Sequence, residues 1–213
     1  PPACAKNHIA VGALNSNDES MTNFSSWGPT DDGRIKPDIS APGCESGSDG
    51  GVTSCSSSGG YTTMCGTSMA CPTVTGLSAL IMQDWRAQFP LEPDMRSSTL
   101  KALLAHTAAD HFNLGPDNQY GYGSVRVANA VDHIRSGNFA ELEVEQGGMV
   151  EMLVYVQETD DVKVTIAWDD VPATPLVIPS LVNDIDLKVI DPTGGVHYPW
   201  TLDPANPGDP AVR

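Results

Sequence analysis

The segment Gly66-Thr67-Ser68-Met69-Ala70-Cys71-Pro72 places a serine where a Ser/Gly-rich stretch runs into an apolar, breaker-poor one. A serine at the start of a buried helix can hold its hydroxyl at the domain surface. Backbone N–H groups and the positive end of the helix dipole then point toward whatever reacts with it. That suits a nucleophile for acyl transfer, because preorganised donors stabilise the oxyanion that forms. On position alone the same serine is also a plain N-cap, since Ser is among the preferred caps. The histidines offer no evident base. Only His8 precedes Ser68, inside an apolar run; His106, His111, His133 and His197 follow it and read as helix-end, loop or strand-surface residues.

A second chemical cluster lies further on. Trp168-Asp169-Asp170 and Leu181-Val182-Asn183-Asp184-Ile185-Asp186-Leu187 put side-chain oxygens at the ends of adjacent predicted strands. Calcium takes roughly six to eight oxygens of this kind, although the same acids also read as solvating the outer face of a sheet. There is no EF-hand pattern. The cysteines, Cys4, Cys44, Cys55, Cys65 and Cys71, are odd in number, so at least one is free or pairs elsewhere. Cys44 and Cys55 could close a loop, but spacing alone does not fix the pairing. Cys71 is expected to be a buried, inert core thiol.

The elements that must position these groups follow from periodicity. His8-Ile9-Ala10-Val11-Gly12-Ala13 is a short apolar run that suits a buried strand. Residues 15 to 65 are dominated by Ser, Gly, Asp, Thr and Pro and read as loops, and loops this long usually carry function. A helix is predicted from Thr67 to Phe89, apolar nearly all round in its first half, with Pro72 in what would be its first turn. Two more are predicted over Ser98–Ala109 and Val125–Ile134, with a glycine-dependent crossing at Tyr120-Gly121-Tyr122-Gly123 between them. After Ser136-Gly137-Asn138 the period becomes two, through Leu142, Val150, Met152, Val154, Val162, Val164, Ile166 and Ile185 to Val189. Such alternation reads as antiparallel strands with one wet face.

Composition limits the function classes. The chain has 213 residues, 27 acidic and 11 basic, for a net charge of −16. That argues against nucleic-acid binding, which needs clustered Lys and Arg. Hydrophobic residues make up 40%, enough for a core, and no apolar run approaches the ~20 residues of a membrane span. Residues 141 to 213 hold 14 of the acids but only 3 of the bases, so composition changes near position 140. Pro1-Pro2-Ala3-Cys4 lacks the charged start and apolar stretch of a secretory signal, and the chain is read as a piece of a longer one.

Several motifs occur together in order. GTSMACP resembles the nucleophile signature of the subtilisin-like serine peptidases, the subtilases. Lys6 to Ala13 resembles the core strand that follows that family's oxyanion asparagine. Asn23-Phe24-Ser25-Ser26-Trp27-Gly28-Pro29, Asp31 to Lys36 and Pro37-Asp38-Ile39-Ser40-Ala41-Pro42-Gly43 resemble its stretch between strand and nucleophile, and Gly121-Tyr122-Gly123-Ser124-Val125 its closing glycine motif. The resemblance covers residues 1 to about 135.

It implies an α/β fold, a mostly parallel sheet sandwiched by helices, over residues 1–137. An antiparallel β-sandwich or jelly-roll would follow over 138–213, both partial. It implies that Ser68 is the nucleophile and that Pro2, Ala3, Gly66 and Thr67 line the substrate site. The triad Asp and His and the oxyanion Asn would then lie upstream of Pro1, so this chain alone is expected to be inactive and to need the remainder of the same protein. Some subtilases carry a jelly-roll with an LVND(I/L)DL-like strand. That implies structural calcium at Asp169, Asp184 and Asp186, ranked ahead of Asp170 and Asn183; catalysis itself needs no cofactor. The expected partner is a polypeptide substrate, and the expected location is secreted, extracellular or lumenal. Two rival readings are a non-catalytic subtilase-fold interaction protein and a calcium-stabilised adhesion module; the second leaves residues 1 to 135 unexplained.

Overall fold

The structure, a computed structural model, describes residues 2–47, 50–156, 161–175 and 177–213. Two strands, β1 (Val11–Asn15) and β2 (Ile39–Cys44), pair in parallel, with Val11 opposite Ile39 and Ala13 opposite Ala41. Ser124 adds a further parallel bridge on Ser40: the Ser40 N–H donates to the Gly123 carbonyl at 2.9 Å and the Val125 N–H to the Ser40 carbonyl at 2.9 Å. The chain reaches β2 this closely only through the predicted glycine crossing. A Cβ at Gly121 (φ +69°) would stand 2.3 Å from the Pro37 carbonyl oxygen, and one at Gly123 (φ +115°) 2.1 Å from that of Ala109. β1 starts later than the run His8–Ala13 suggests: the Ala10 carbonyl still accepts the Asp38 N–H at 2.8 Å, but its N–H goes to the Asp38 carboxylate at 2.7 Å and not to a backbone carbonyl.

The helix α1 (Thr67–Gln88) packs on β1 and β2. Its buried residues Ala70, Val74, Ile81 and Trp85 fall on one face by their spacing. They meet Ala13, Ile39 and Ala41 from the strands, Leu103 and Leu104 from α2 (Ser97–Thr107), and Ala130 and Ile134 from α3 (Val127–Ser136). α1 stops at Gln88 because Pro90 disfavours the helical conformation at Phe89, whose φ is −124°. All three helices end within two residues of the predicted limits.

Three expectations about this region change. α1 begins at Thr67, so Pro72 lies in its second turn and withdraws the N–H that would have bonded the Ser68 carbonyl. The helix is not buried all round: Leu80 is 53% exposed and Cys71 is exposed, because the face turned to the sheet is that of Ala70 and Val74. Within the predicted loop region, β3 (Val52–Cys55) and β4 (Tyr61–Met64) form an antiparallel hairpin, Thr53 and Thr63 sharing a hydroxyl hydrogen bond of 2.7 Å.

The antiparallel sandwich expected from residue 138 onward is not formed among the described residues. Pairing there is limited to β5 (Val189–Ile190) with β6 (Val196–His197) and a bridge between Thr201 and Val212. The alternating residues Val150, Met152, Val154, Val162 and Val164 are exposed. Alternation creates one apolar face, and a sheet holds such a face only against a second layer. These residues do not supply that layer.

Candidate active site

Ser68 is exposed in the first turn of α1. Its hydroxyl has no hydrogen-bond partner among the described residues. Gly66 caps the helix without a side chain, so nothing covers the N-terminus from the cap position, and Thr67 beside Ser68 is exposed as well. The Gly66 carbonyl accepts the Met69 N–H at 2.9 Å and the Ala70 N–H at 3.3 Å, which closes the first turn of the helix around Ser68.

Two restraints fix this turn. The Gly66 N–H donates to the Gly43 carbonyl at 2.9 Å, tying the helix start to the end of β2. Cys44 and Cys65, the neighbours of those two glycines, form a disulfide. The pairing is therefore Cys44–Cys65; Cys55 is free and exposed at the hairpin end. Sequence spacing could not fix the pairing, because hairpin formation decides which cysteine returns to the end of β2.

No histidine bonds to Ser68 among the described residues. His8 has a buried Nδ1 without a partner, and burial, with Lys36 nearby, holds its pKa below the usual value. His106 faces Thr165 Oγ1 at 3.0 Å and His133 at 4.6 Å between ring centroids, and burial lowers its pKa to about 4. His133 meets the Asn138 carbonyl, and His197 meets Asp191.

His111 has the most suggestive company: Ser124 Oγ at 2.9 Å and Glu19 Oε2 at 2.8 Å. Both contacts fall on the same ring nitrogen, Nε2, whereas a triad needs the carboxylate on the other one. Ser124 is 1% exposed, and Glu19 also pairs with Arg126 at 2.6 Å. This set is structural, and among the described residues no base is paired with Ser68.

Of the expected pocket residues, Pro2 and Ala3 lie in a 3-10 turn over Pro2–Cys4; Ala3 is exposed. Arg34 Nη2 holds that turn by donating to the Cys4 carbonyl at 2.9 Å. The expected calcium ligands do not converge. Asp169, Asp184 and Asp186 are exposed, and Asp169 accepts the Ser97 hydroxyl at 2.8 Å. Among the described residues no three His, Cys, Asp or Glu side chains form a metal-binding group.

Asp170 does something the sequence did not reveal: it accepts Lys6 Nζ at 2.6 Å and the Val182 and Asn183 N–H groups at 2.9 Å each. Burial pushes its carboxyl up, but these donors outweigh that and hold it at about 2. The available signal was an acidic pair, Asp169-Asp170, between Trp168 and Val171, and it reads equally as a metal ligand.

The comparisons with known proteins agree with this frame. Residues 1–123 match Peptidase S8, the subtilase family. Serine protease AprX of Bacillus subtilis is 36% identical over 61% of this chain and 31% of its own length. A C5a peptidase of Streptococcus pyogenes is 32% identical over 68% of this chain and 12% of its own. The structure of the Clostridium perfringens CspB protease superposes with a TM-score of 0.55 at 28% identity, covering 63% of this chain and 28% of that one. The chain thus spans about a third or less of these relatives. No helix among the described residues is long and apolar enough to cross a membrane. With more than half of its residues matched, and the serine-bearing helix set on a parallel strand pair, the chain belongs to the subtilase family.

Proposed function

We propose that the protein of which this chain is part is a serine endopeptidase that cleaves polypeptides through an acyl-enzyme on Ser68. The observation that carries this reading is the exposed Ser68 hydroxyl, unpartnered at an uncovered helix N-terminus whose N–H groups are free to receive an oxyanion. Ser68 Oγ attacks the peptide carbonyl carbon. Its proton passes to a histidine, oriented by an aspartate, and the carbonyl electrons move onto the oxygen, facing the Ser68 N–H and an asparagine amide. Collapse expels the amine with the histidine's proton, and water releases the acyl group by the same route. Histidine, aspartate and asparagine are assigned to the upstream remainder of the protein, in line with the absence of any base on Ser68 among the described residues. Gly66 and Thr67 border the reacting carbonyl, and Pro2 and Ala3 form part of the wall for the side chain before the scissile bond.

The Cys44–Cys65 disulfide supports an oxidising, secreted or extracytoplasmic location. The charge of −16 supports neutral or basic polypeptides over acidic ones and gives no support to a nucleic-acid role. Residues 138–213 are read as the start of a jelly-roll on their alternation. The test is labelling of the full-length protein by a fluorophosphonate probe. Labelling that Ser68→Ala abolishes is the expected result. Absence of labelling in folded protein would return Ser68 to a helix start and the chain to a non-catalytic role.

A further inference from the structure

The wall residues Pro2 and Ala3 sit only a few residues before Lys6 and Asn7, and those two are gripped by the acidic C-terminal third. A lysine ammonium has three N–H donors. In Lys6 all three are taken there: by Asp170 Oδ2 at 2.6 Å, the Val171 carbonyl at 2.5 Å and the Ser180 carbonyl at 2.8 Å. Asn7 pairs with the Asp170 backbone in both directions, its Nδ2 donating to the carbonyl at 2.9 Å and its Oδ1 accepting the N–H at 2.9 Å. Asp170 is 5% exposed and the Lys6 side chain 14%. Shifting either segment therefore leaves a buried charge unpaired, which is costly enough to make the contact stiff.

The peptidase part holds the same segment by different atoms. Arg34 Nη2 donates to the Cys4 carbonyl at 2.9 Å, and Lys101 Nζ to the Lys6 carbonyl at 3.0 Å. Backbone carbonyls are thus fixed from one side and the side chains of Lys6 and Asn7 from the other. Among the described residues no hydrogen bond links this clamp to the restraints on Ser68, which run through Gly43, Gly66 and the disulfide.

We propose that Lys6, Asn7 and Asp170 are positioning residues for the substrate pocket: the C-terminal third fixes the Pro2–Ala3 wall and through it sets KM for peptides. This rests on the peptidase reading above. Because wall and nucleophile have separate restraints, loosening the clamp weakens substrate binding without slowing chemistry, which raises KM at unchanged kcat.

The test uses full-length protein carrying Asp170→Asn or Asn7→Ala, with peptide anilides that differ in the residue before the scissile bond, and a fluorophosphonate for Ser68. Asp170→Asn raises KM about tenfold and Asn7→Ala a few-fold, each with kcat within about twofold. The rate of Ser68 labelling, which does not need the extended pocket, stays at the wild-type value. Unchanged KM in either folded variant overturns the proposal, as does a fall in kcat and labelling alongside KM. If Asp170→Asn does not fold, Asn7→Ala decides alone, since Asn7 is exposed and loses only its two backbone contacts. If wild-type protein is not labelled at Ser68, the peptidase reading has failed. The clamp is then read by amide exchange over residues 2–7, which Asp170→Asn accelerates if the clamp exists and leaves unchanged if it does not.

Discussion

Replacing Gly43 by alanine tests how the nucleophile turn is held. A Cβ there would stand 2.7 Å from the Gly66 carbonyl oxygen, 2.8 Å from Ala13 Cβ and 3.0 Å from Ala70 Cβ. None of these is the free end of a flexible side chain: two belong to short alanine side chains on β1 and α1, and the third is backbone of the turn itself. Restoring carbon contacts of ~3.5–4.0 Å requires β2 and the start of α1 to part by most of an ångström. Overpacking of this kind costs ~1–3 kcal/mol, and weakening the bond from Gly66 N–H to the Gly43 carbonyl adds to it. With a urea slope of ~1–3 kcal/mol/M, a loss of ~2 kcal/mol moves the unfolding midpoint down by roughly 1 M. Gly76→Ala in this chain is the control. It lies in the interior of α1, a Cβ there meets nothing within 4 Å, and the exchange should stabilise by ~0.5–1 kcal/mol. Fluorophosphonate labelling of Ser68 in the full-length protein slows in Gly43→Ala because the Gly66 carbonyl is displaced. A wild-type midpoint for Gly43→Ala, or equal losses in the two variants, would refute the reasoning.

Ile81 is wholly buried on the inner face of α1, so Ile81→Ala leaves a cavity among the strand and helix residues around it and costs ~2–5 kcal/mol by urea denaturation. Peptide mapping under non-reducing conditions finds Cys44 linked to Cys65 with Cys55 alkylatable, and replacing both linked residues by alanine costs ~3 kcal/mol for a sequence separation of 21. Asp170 is held at about 2 against an ordinary 3.8, so its contribution of ~2 kcal/mol is present above 3.8 and disappears as pH falls from there through about 2. Stability of Asp170→Asn, measured from pH 5 to pH 2, lacks that component of the fall.

Helical elements were legible because their cause is local. The spacing of Ala70, Val74, Ile81 and Trp85 defines a face within one continuous segment, and Pro90 marks its end. The candidate nucleophile was legible for a related reason: a glycine, a small polar pair and an apolar helix in immediate succession place Ser68 at a helix N-terminus wherever that helix packs. The crossing at Gly121 and Gly123 could be anticipated as glycine-dependent, although its partner, the backbone at Pro37 and Ala109, lay beyond the reach of pattern.

What the sequence left open involved pairs distant along the chain. Cys55 was the partner considered for Cys44, without anything to fix the pairing, until the hairpin of β3 and β4 carried Cys65 back to the end of β2. Asp170 read as an acid near a candidate metal site until Lys6, 164 residues away, arrived as its counter-ion. His111, Ser124 and Glu19 form a triad by residue type alone, and only the choice of ring nitrogen and the burial of Ser124 disqualify them. Alternation after residue 138 announced strands, yet a strand needs a hydrogen-bonding neighbour and its apolar face a cover, and both are properties of the assembled molecule. The sequence by itself thus determined the helices, the glycine-dependent turn and the placing of Ser68 at a helix start, since each depends on residues a few positions apart. Tertiary structure alone decided the disulfide, the ion pairs and the contacts of Lys6 and Asn7 with Asp170, because these depend on groups that meet only after the intervening chain has folded.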